Sequence, residues 1–420
     1  MENTIKIPAL RFTEFKGEWE TKKVGELCDS IVPGRNKPTS FEGTIPWITT
    51  PDIQHNGTIT FSKSGLNISR EEAKRVGSKI VPINSIVIAC VGELGLAAIT
   101  GKEIVINQQL HAFIPQSEIN YRFLLYQVSL QKKYMDRVAT KTAVPYMNKD
   151  NCNAIPITFP TLPEQQKIAS FFTAIDDKIQ ALKKKKSLLE QYKQGIMQQL
   201  FTQQLRFKDD NGEDYPDWEE KKLGEVYSFK ITNSFSREQL NYEDGTVKNI
   251  HYGDIHTKFQ TLFDITKESV PFINSEIFIG RISEDNYCKE GDLILADASE
   301  DLNDVGKSIE LVNLNNEKLL SGLHTILARP DLEKLSIGFG GYLFKSTFVR
   351  TQIQKVSQGS KVLSISATRL SKLLLSFPCV KEQTKIANFL TSIDDKINKV
   401  QTQINESTQW KKGLLQKMFC

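Results

Sequence analysis

The strongest constraint on this chain is that it writes one stretch twice. Glu164-Gln165-Gln166-Lys167-Ile168-Ala169 returns as Glu382-Gln383-Thr384-Lys385-Ile386-Ala387, and the copies stay in step without a gap. Phe171 meets Phe389, Ile175-Asp176-Asp177-Lys178-Ile179 meets Ile393-Asp394-Asp395-Lys396-Ile397, and Phe201 meets Phe419, always 218 residues apart. A period that long is no solenoid unit. It marks a duplicated domain followed by a duplicated helix.

Within each copy the apolar residues follow a coiled-coil step. Ile168, Phe172, Ile175, Ile179 and Leu182 advance by four, three, four and three, as do Ile386, Leu390, Ile393, Ile397 and Val400. Further on the stripe drifts to Leu189, Tyr192 and Ile196, matched by Trp410 and Leu414, as an ordinary helical period requires. Pro163 and Glu164 suit a first helical turn, the acid complementing the helix dipole. At about 1.5 Å per residue such a helix makes a rod of about 58 Å, and alone it would leave its seam bare. Its economical partner is its own copy, in an antiparallel pair with a pseudo-two-fold axis. The run Lys183-Lys184-Lys185-Lys186 reads as a solvated helix face.

The segments before the helices have a mixed pattern. In the first, Ile45–Thr49, Ser85–Ala89, Ile104–Ile106 and His111–Ile114 read as strands, Ser69 as the cap of a short surface helix, and Tyr121–Arg137 as a helix. After Phe201 the chain restarts. Leu205-Arg206-Phe207 repeats Leu10-Arg11-Phe12, and Trp218-Glu219 through Gly224-Glu225 echoes Trp19-Glu20 through Gly25-Glu26. Landmarks in the diverged remainder are Asp52 with Asp254, Ser85 with Asp292, His111 with His324 and Val144 with Val362. The matching His111 and His324 suggest a shared structural role, since one matched histidine in each domain makes no metal-ligand set. No metal site is expected.

Composition narrows the class. In 420 residues, 39% are hydrophobic and 25% charged, which is ordinary for globular domains, and length allows two or three of them. No apolar run approaches the ~20 residues of a membrane span, and Met1-Glu2-Asn3-Thr4 shows no signal-peptide core. The six cysteines are scattered without a Cys-x-x-Cys pair, which fits a reducing cytoplasm and argues against a disulfide framework. A net charge of +4 permits nucleic-acid binding without demanding it.

Motifs of catalysis are missing. The chain has no phosphate loop, no Gly-x-Gly-x-x-Gly, no His-Glu-x-x-His and no Asn-Pro-Pro-Tyr/Phe. One pattern spells a metal nuclease loosely: Pro51-Asp52 followed by Glu72-Ala73-Lys74, in which the acids would bind Mg²⁺. Against it, residues two apart on a helix diverge, and the second domain lacks the Glu-x-Lys. No catalytic residue is assigned.

A domain, a long helix, a divergent version of the domain and the same helix again together resemble the specificity subunit of Type I restriction-modification systems, the HsdS family. The helix openings at 163–169 and 381–387, the Ile-Asp-Asp-Lys-Ile segments and the Trp-Glu domain openings carry the resemblance over essentially the whole chain. It implies an α+β chain of two globular target recognition domains joined by a pair of long antiparallel coiled-coil helices. The boundaries expected are 1–159 and 204–377 for the domains, and 160–203 and 378–420 for the helices.

The resemblance also implies a cytoplasmic, non-catalytic subunit in which each domain reads half of a bipartite, asymmetric duplex DNA target. Partner subunits would do the chemistry: two methyltransferase subunits acting on adenine with S-adenosylmethionine, and restriction or motor subunits using ATP and Mg²⁺. No cofactor would be bound by this chain and no membrane contacted. By the same resemblance, the DNA-reading positions are Arg35, Asn36, Lys37, Lys141, Thr142 and Tyr146 in the first domain, and Thr232, Asn233, Arg237, Ser360 and Lys361 in the second. Asn107, Gln108, Gln109, His251, Tyr252 and His256 are further candidates, of types that suit base edges and phosphates. Two rival readings are a Mg²⁺-dependent nuclease built on Asp52, Glu72 and Lys74, and a coiled-coil adaptor that binds only proteins.

Overall fold

The computed structural model describes residues 7–34 and 36–419. Its long helices are continuous, Leu162–Phe201 and Val380–Met418. The chain folds into two compact units, one of residues up to Lys183 with those from Thr402 onward, the other Lys184–Gln401. Each unit therefore contains the beginning of one long helix and the end of the other.

In the first unit the main sheet runs Cys28–Ile31, Leu110–Pro115, Ile86–Ala89, Ala97–Thr100, Thr58–Ile59, antiparallel except at its last pair. The central strand Ile86–Ala89 is buried on both faces, which explains its unbroken apolar sequence. Ile86 and Ile88 face Phe123, Leu124 and the long-helix residues Ile168 and Phe172, whereas Val87 and Ala89 face Ile31, Ile48 and Ile106. A smaller sheet, Asn67–Ile68, Ile45–Ile48, Val105–Ile106, lies on that second side. Where one helix over Tyr121–Arg137 was expected, a turn at Gln131, whose amide bonds to the Val128 carbonyl, divides Tyr121–Leu130 from Lys132–Val138.

The second unit repeats the plan: Tyr227–Lys230, Thr325–Pro330, Leu293–Ala296, Ser308–Asn313, Leu262–Asp264 in its main sheet. Its smaller sheet gains a strand, Leu240–Asn241, beside Phe272–Ile273, Val247–Ile250 and Lys318–Ser321. The strand registers fix the equivalences that sequence left loose. Ala89 pairs with Leu110 and Ala296 with Thr325, so Gln109 corresponds to His324 and His111 to Ile326. The sequence pairing of His111 with His324 is thus two residues out. His111 is a buried core residue, its ring against Phe113, and burial pushes its pKa down to about 4.

The repeated helix opening fastens helix to domain. Glu164 and Glu382 are buried, and each accepts two bonds from an arginine of the repeated Leu-Arg-Phe segment, Arg11 at 2.7 Å twice and Arg206 at 3.3 and 2.7 Å. The next residue ties down the loop before the sheet-covering helix. Gln165 donates to the carbonyls of Glu118 and Pro160 and accepts from the Asn120 amide, while Gln383 does the same with Lys334, Pro378 and Ser336. Two residues on, Lys167 pairs with Glu14 and Lys385 with Asp210. Phe171 meets Phe12 edge-on and Phe389 meets Phe207 likewise, so both face their own unit.

The heptad residues Ile168, Phe172, Ile175 and Ile179 lie in the first unit's core, with Met418 and Phe419 of the second helix's end. Ile386, Leu390, Ile393 and Ile397 lie in the second unit's core, with Leu200 and Ile196 of the first helix's end. Val400 is buried and Leu182 half-buried. Within each unit the two helices run antiparallel, since Phe172 packs on Phe419 while Asp176 meets Lys411, earlier in the second helix. Full burial of one such phenylalanine is worth about 2 kcal/mol. Tyr192 and Trp410, on the drifted stripe, are about half exposed.

Candidate nucleic-acid interface

In the first unit, backbone hydrogen bonds gather the sequence candidates at one end of the main sheet. The Cys90 amide donates to the Gln109 carbonyl and the Met147 amide to the Cys90 carbonyl, both at 2.9 Å. The turn Asn107–Gln109 and the loop carrying Lys141, Thr142 and Tyr146 are thereby set either side of one strand end. That loop is closed by the Thr140 amide on the Tyr146 carbonyl at 2.9 Å. Gln108 Nε2 reaches the Gly34 carbonyl at 3.1 Å, which draws in the Asn36–Lys37 segment. Asn36, Gln108, Gln109, Lys141, Thr142 and Tyr146 are exposed, and Lys37 Nζ sits 5.9 Å from the centre of the Trp47 ring. Arg35 lies outside the described residues.

The second unit builds the same frame. The Asp297 amide donates to the His324 carbonyl at 3.0 Å and the Ile365 amide to the Asp297 carbonyl at 2.8 Å. Ser360 and Lys361 stand exposed in a loop closed by reciprocal bonds between Gln358 and Ser364, 2.9 and 2.7 Å. Gly359 there has φ +133°, and a Cβ on it would lie 1.9 Å from the Val362 carbonyl oxygen, so only glycine fits. Thr232 hydroxyl donates to the Thr325 carbonyl, and Asn233 binds the Ser321 carbonyl through amide and side chain, both at 3.0 Å.

Aromatic rings mark this end of the second unit. Tyr252 lies against His251 at 4.5 Å and meets His324 edge-on at 5.4 Å. His251 is buried and its Nδ1 accepts from the Gly253 amide at 3.2 Å, capping Tyr252–Thr257. Burial, then the nearby Arg237, push its pKa down. His256 Nε2 is 3.1 Å from the Ala298 carbonyl. Arg237 is set apart from the other candidates. Both its terminal nitrogens hold the buried Asp254 at 2.8 and 2.9 Å, and Lys258 adds a third bond. Burial raises Asp254, but the bonds from Arg237 and Lys258 outweigh it and hold the carboxyl below its usual range. That engagement leaves no free fork for a guanine.

The nuclease pattern is employed structurally. Asp52 accepts from the Thr49 amide at 2.7 Å and the Lys63 amide at 2.6 Å. Glu72 accepts from the Thr39 and Ser40 amides and from Arg75, whose bonds lead in drawing its pKa down to about 2. Lys74 points elsewhere, on the exposed face. Among the described residues, no three His, Cys, Asp or Glu side chains are grouped to hold a metal ion.

A family model for the Type I restriction modification DNA specificity domain matches residues 16–191 and again residues 215–408. This chain belongs to that family.

Among specificity-domain relatives, the MjaVIII specificity subunit of Methanocaldococcus jannaschii is 25% identical over 413 residues, covering 94% of this chain and 90% of that one. The MjaIX specificity subunit of the same organism is 23% identical over 243 residues, so the chain spans just over half, 56%, of that relative's length. The S subunit of a Type I system from M. genitalium shares the fold at a TM-score of 0.60, with 14% identity and coverage of 98% of this chain and 99% of that one. A second structure, described for complex assembly and conformational transition of the Type I system, matches at 0.55, 16% identical over 97% and 99%. No described helix is long and apolar enough to cross a membrane.

Sequence reasoning missed three things about this specificity-family chain. Cys90 and Asp297, the strand-end residues that bind both flanking loops, carried no sequence signal of their own. Thr50, beside Gln109, went unremarked. Third, Asp176 and Asp394 of the repeated Ile-Asp-Asp-Lys-Ile segments each accept from a tyrosine and a lysine: Tyr126 (2.6 Å) and Lys411 (2.5 Å), then Tyr342 (2.8 Å) and Lys193 (2.6 Å). Tyr126 and Tyr342 stand 50 and 52 residues before the aspartates they bond, a near-repeat that could have signalled it.

Proposed function

We propose that this chain is the non-catalytic DNA-recognition subunit of a Type I restriction-modification complex. Each domain reads one half of a bipartite, asymmetric duplex target, and the chain directs adenine methylation and restriction by its partners. The observation that carries this reading is one backbone frame holding two unlike surfaces. Gln109, Cys90 and Met147 recur as His324, Asp297 and Ile365 with the same hydrogen bonds, and while Met147 and Ile365 are both buried and apolar, the exposed groups differ, Gln109 against His324. A scaffold kept while its presented groups change is what two readers of different half-sites need. Base edges then give sequence and phosphates give affinity.

Methyltransferase subunits, two of them, would carry S-adenosylmethionine, and restriction or motor subunits ATP and Mg²⁺. The half-exposed Tyr192 and Trp410 are aromatic groups suited to hold such partners. Cytoplasmic residence follows from the DNA target. The test is to exchange residues 17–158 for those of another family member and map methylated bases in the host. One half-site should change and the other stay. Change in both halves, or in neither, defeats the two-reader model.

A further inference from the structure

Equivalent backbone positions in the two domains present opposite hydrogen-bonding groups. Gln109 and His324 each end a turn before the same sheet strand, each receives the amide of the neighbouring strand end, and each is exposed. Their side-chain neighbours are equivalent too. Thr50 and Tyr252 are the first residues of the short helices that follow Ile45–Ile48 and Val247–Ile250.

The hydrogen bonds fix what each group has left to offer. Asn107 Oδ1 accepts from the Gln109 amide at 3.1 Å, so its Nδ2 must donate, and it does so to Gln109 Oε1 at 3.2 Å. The Thr50 hydroxyl donates to the same oxygen at 3.2 Å. With both lone pairs of the carbonyl engaged, the side chain of Gln109 brings its NH₂ group to a ligand. At the other position the Asp297 carboxylate lies 3.2 Å from His324 Nδ1 and can only accept, so Nδ1 carries the proton. In the uncharged form of the ring, Nε2 is then the acceptor it can present. The ring is held in this pose by Tyr252 and by a left-handed backbone, φ +54°.

We propose that Gln109 and His324 are specificity-determining positions of the two half-sites. Gln109 donates to an exocyclic carbonyl oxygen in the major groove, guanine O6 or thymine O4, and His324 accepts from an exocyclic amine, adenine or cytosine. The proposal rests on the reading of the chain as a duplex-DNA reader and adds which base chemistry each domain selects.

The experiment selects bound sequences from a randomised duplex library, using the chain in complex with its methyltransferase partner. The variants are Gln109→Glu, which replaces the donor by an acceptor, His324→Ala, and His324→Asn, which tolerates a left-handed backbone and keeps a polar group. Thermal melting checks each fold. The expected result is one altered base pair in one half-site for the Gln109 variant and one in the other half-site for the His324 variants, with discrimination there falling about tenfold. With glutamate the base read at the position answering to Gln109 should change, on the same strand, from a carbonyl-bearing base to an amine-bearing one, so that the base pair selected there is replaced. An unchanged consensus, or a uniform loss over all sequences, overturns the proposal while leaving DNA reading intact. A wild-type complex that selects no sequence defeats the underlying reading, and the proposal falls with it.

Discussion

Lys411 donates to Asp176 at 2.5 Å, and Lys193 to Asp394 at 2.6 Å, so the same lysine–aspartate pair is made once in each unit with the repeats in exchanged roles. Each lysine also lies over the tyrosine that bonds the same carboxylate, 5.0 Å from the Tyr126 ring and 5.1 Å from that of Tyr342. The repeated Asp is thus where domain, first helix and second helix meet inside a unit.

Asp394→Asn should lower stability by about 1–2 kcal/mol, because Lys193 and Tyr342 both lose their charged acceptor. A double-mutant cycle of Asp394 with Lys193, read by chemical denaturation, should show coupling. Strict additivity would mean that the pair contributes nothing.

Removing the buried acid of a helix opening should cost more. Glu382→Ala leaves Arg206 without its carboxylate, and breaking such a pair destabilises by about 3 kcal/mol or more. Differential scanning calorimetry should show a clear fall in the second unit's transition. A change within error would show that Arg206 finds water without penalty.

Glu310 should make stability depend on pH. It is buried, and burial lifts its pKa to about 7 from an ordinary 4.5, although the Gly341 and Gly338 amides donate to it. The folded state holds this proton more tightly than the unfolded state. The group's contribution is therefore full below about 4.5 and lost as pH rises through about 7, a span worth about 3 kcal/mol. Glu310→Gln should flatten that slope in denaturation measured from pH 5 to 8. An equal slope in the variant would remove Glu310 as its source.

Much of this was legible from the sequence, for a reason that the packing makes plain. Glu164, Gln165 and Lys167 each bind a different partner within one unit, so the repeat must keep all three, and a repeat kept whole can be read. The heptad residues are buried for the same reason. The reading ends were less legible because their frame is backbone: Cys90 and Asp297 do the same work through N–H and C=O, which any residue supplies. Arg237 looked like a base reader by type, but its partner Asp254 is 17 residues on and invisible to local pattern. The divided helix at Gln131 likewise carries no glycine or proline to announce it.

Asp52 and Glu72 offer a clean discrimination from the nuclease reading. The purified chain should not cut duplex DNA with Mg²⁺, and Glu72→Ala should lower the melting temperature by freeing the Thr39 and Ser40 amides. Mg²⁺-dependent cleavage that disappears with Asp52→Asn would reverse this conclusion.

Met418 and Phe419, the last described residues, are buried beside Trp19 and Phe123, residues from near the start and the first third of the chain. Leu200 and Phe201 do the equivalent for Trp218 and Phe339. The two helix ends are related repeats, Leu200-Phe201 against Met418-Phe419, so each core is closed by the same kind of apolar plug, drawn from the other repeat's helix. Genetic exchange within the repeated helices would then deliver a new domain to a chain that already holds a stopper for it. Recombination there can exchange a whole domain without a core having to be re-evolved.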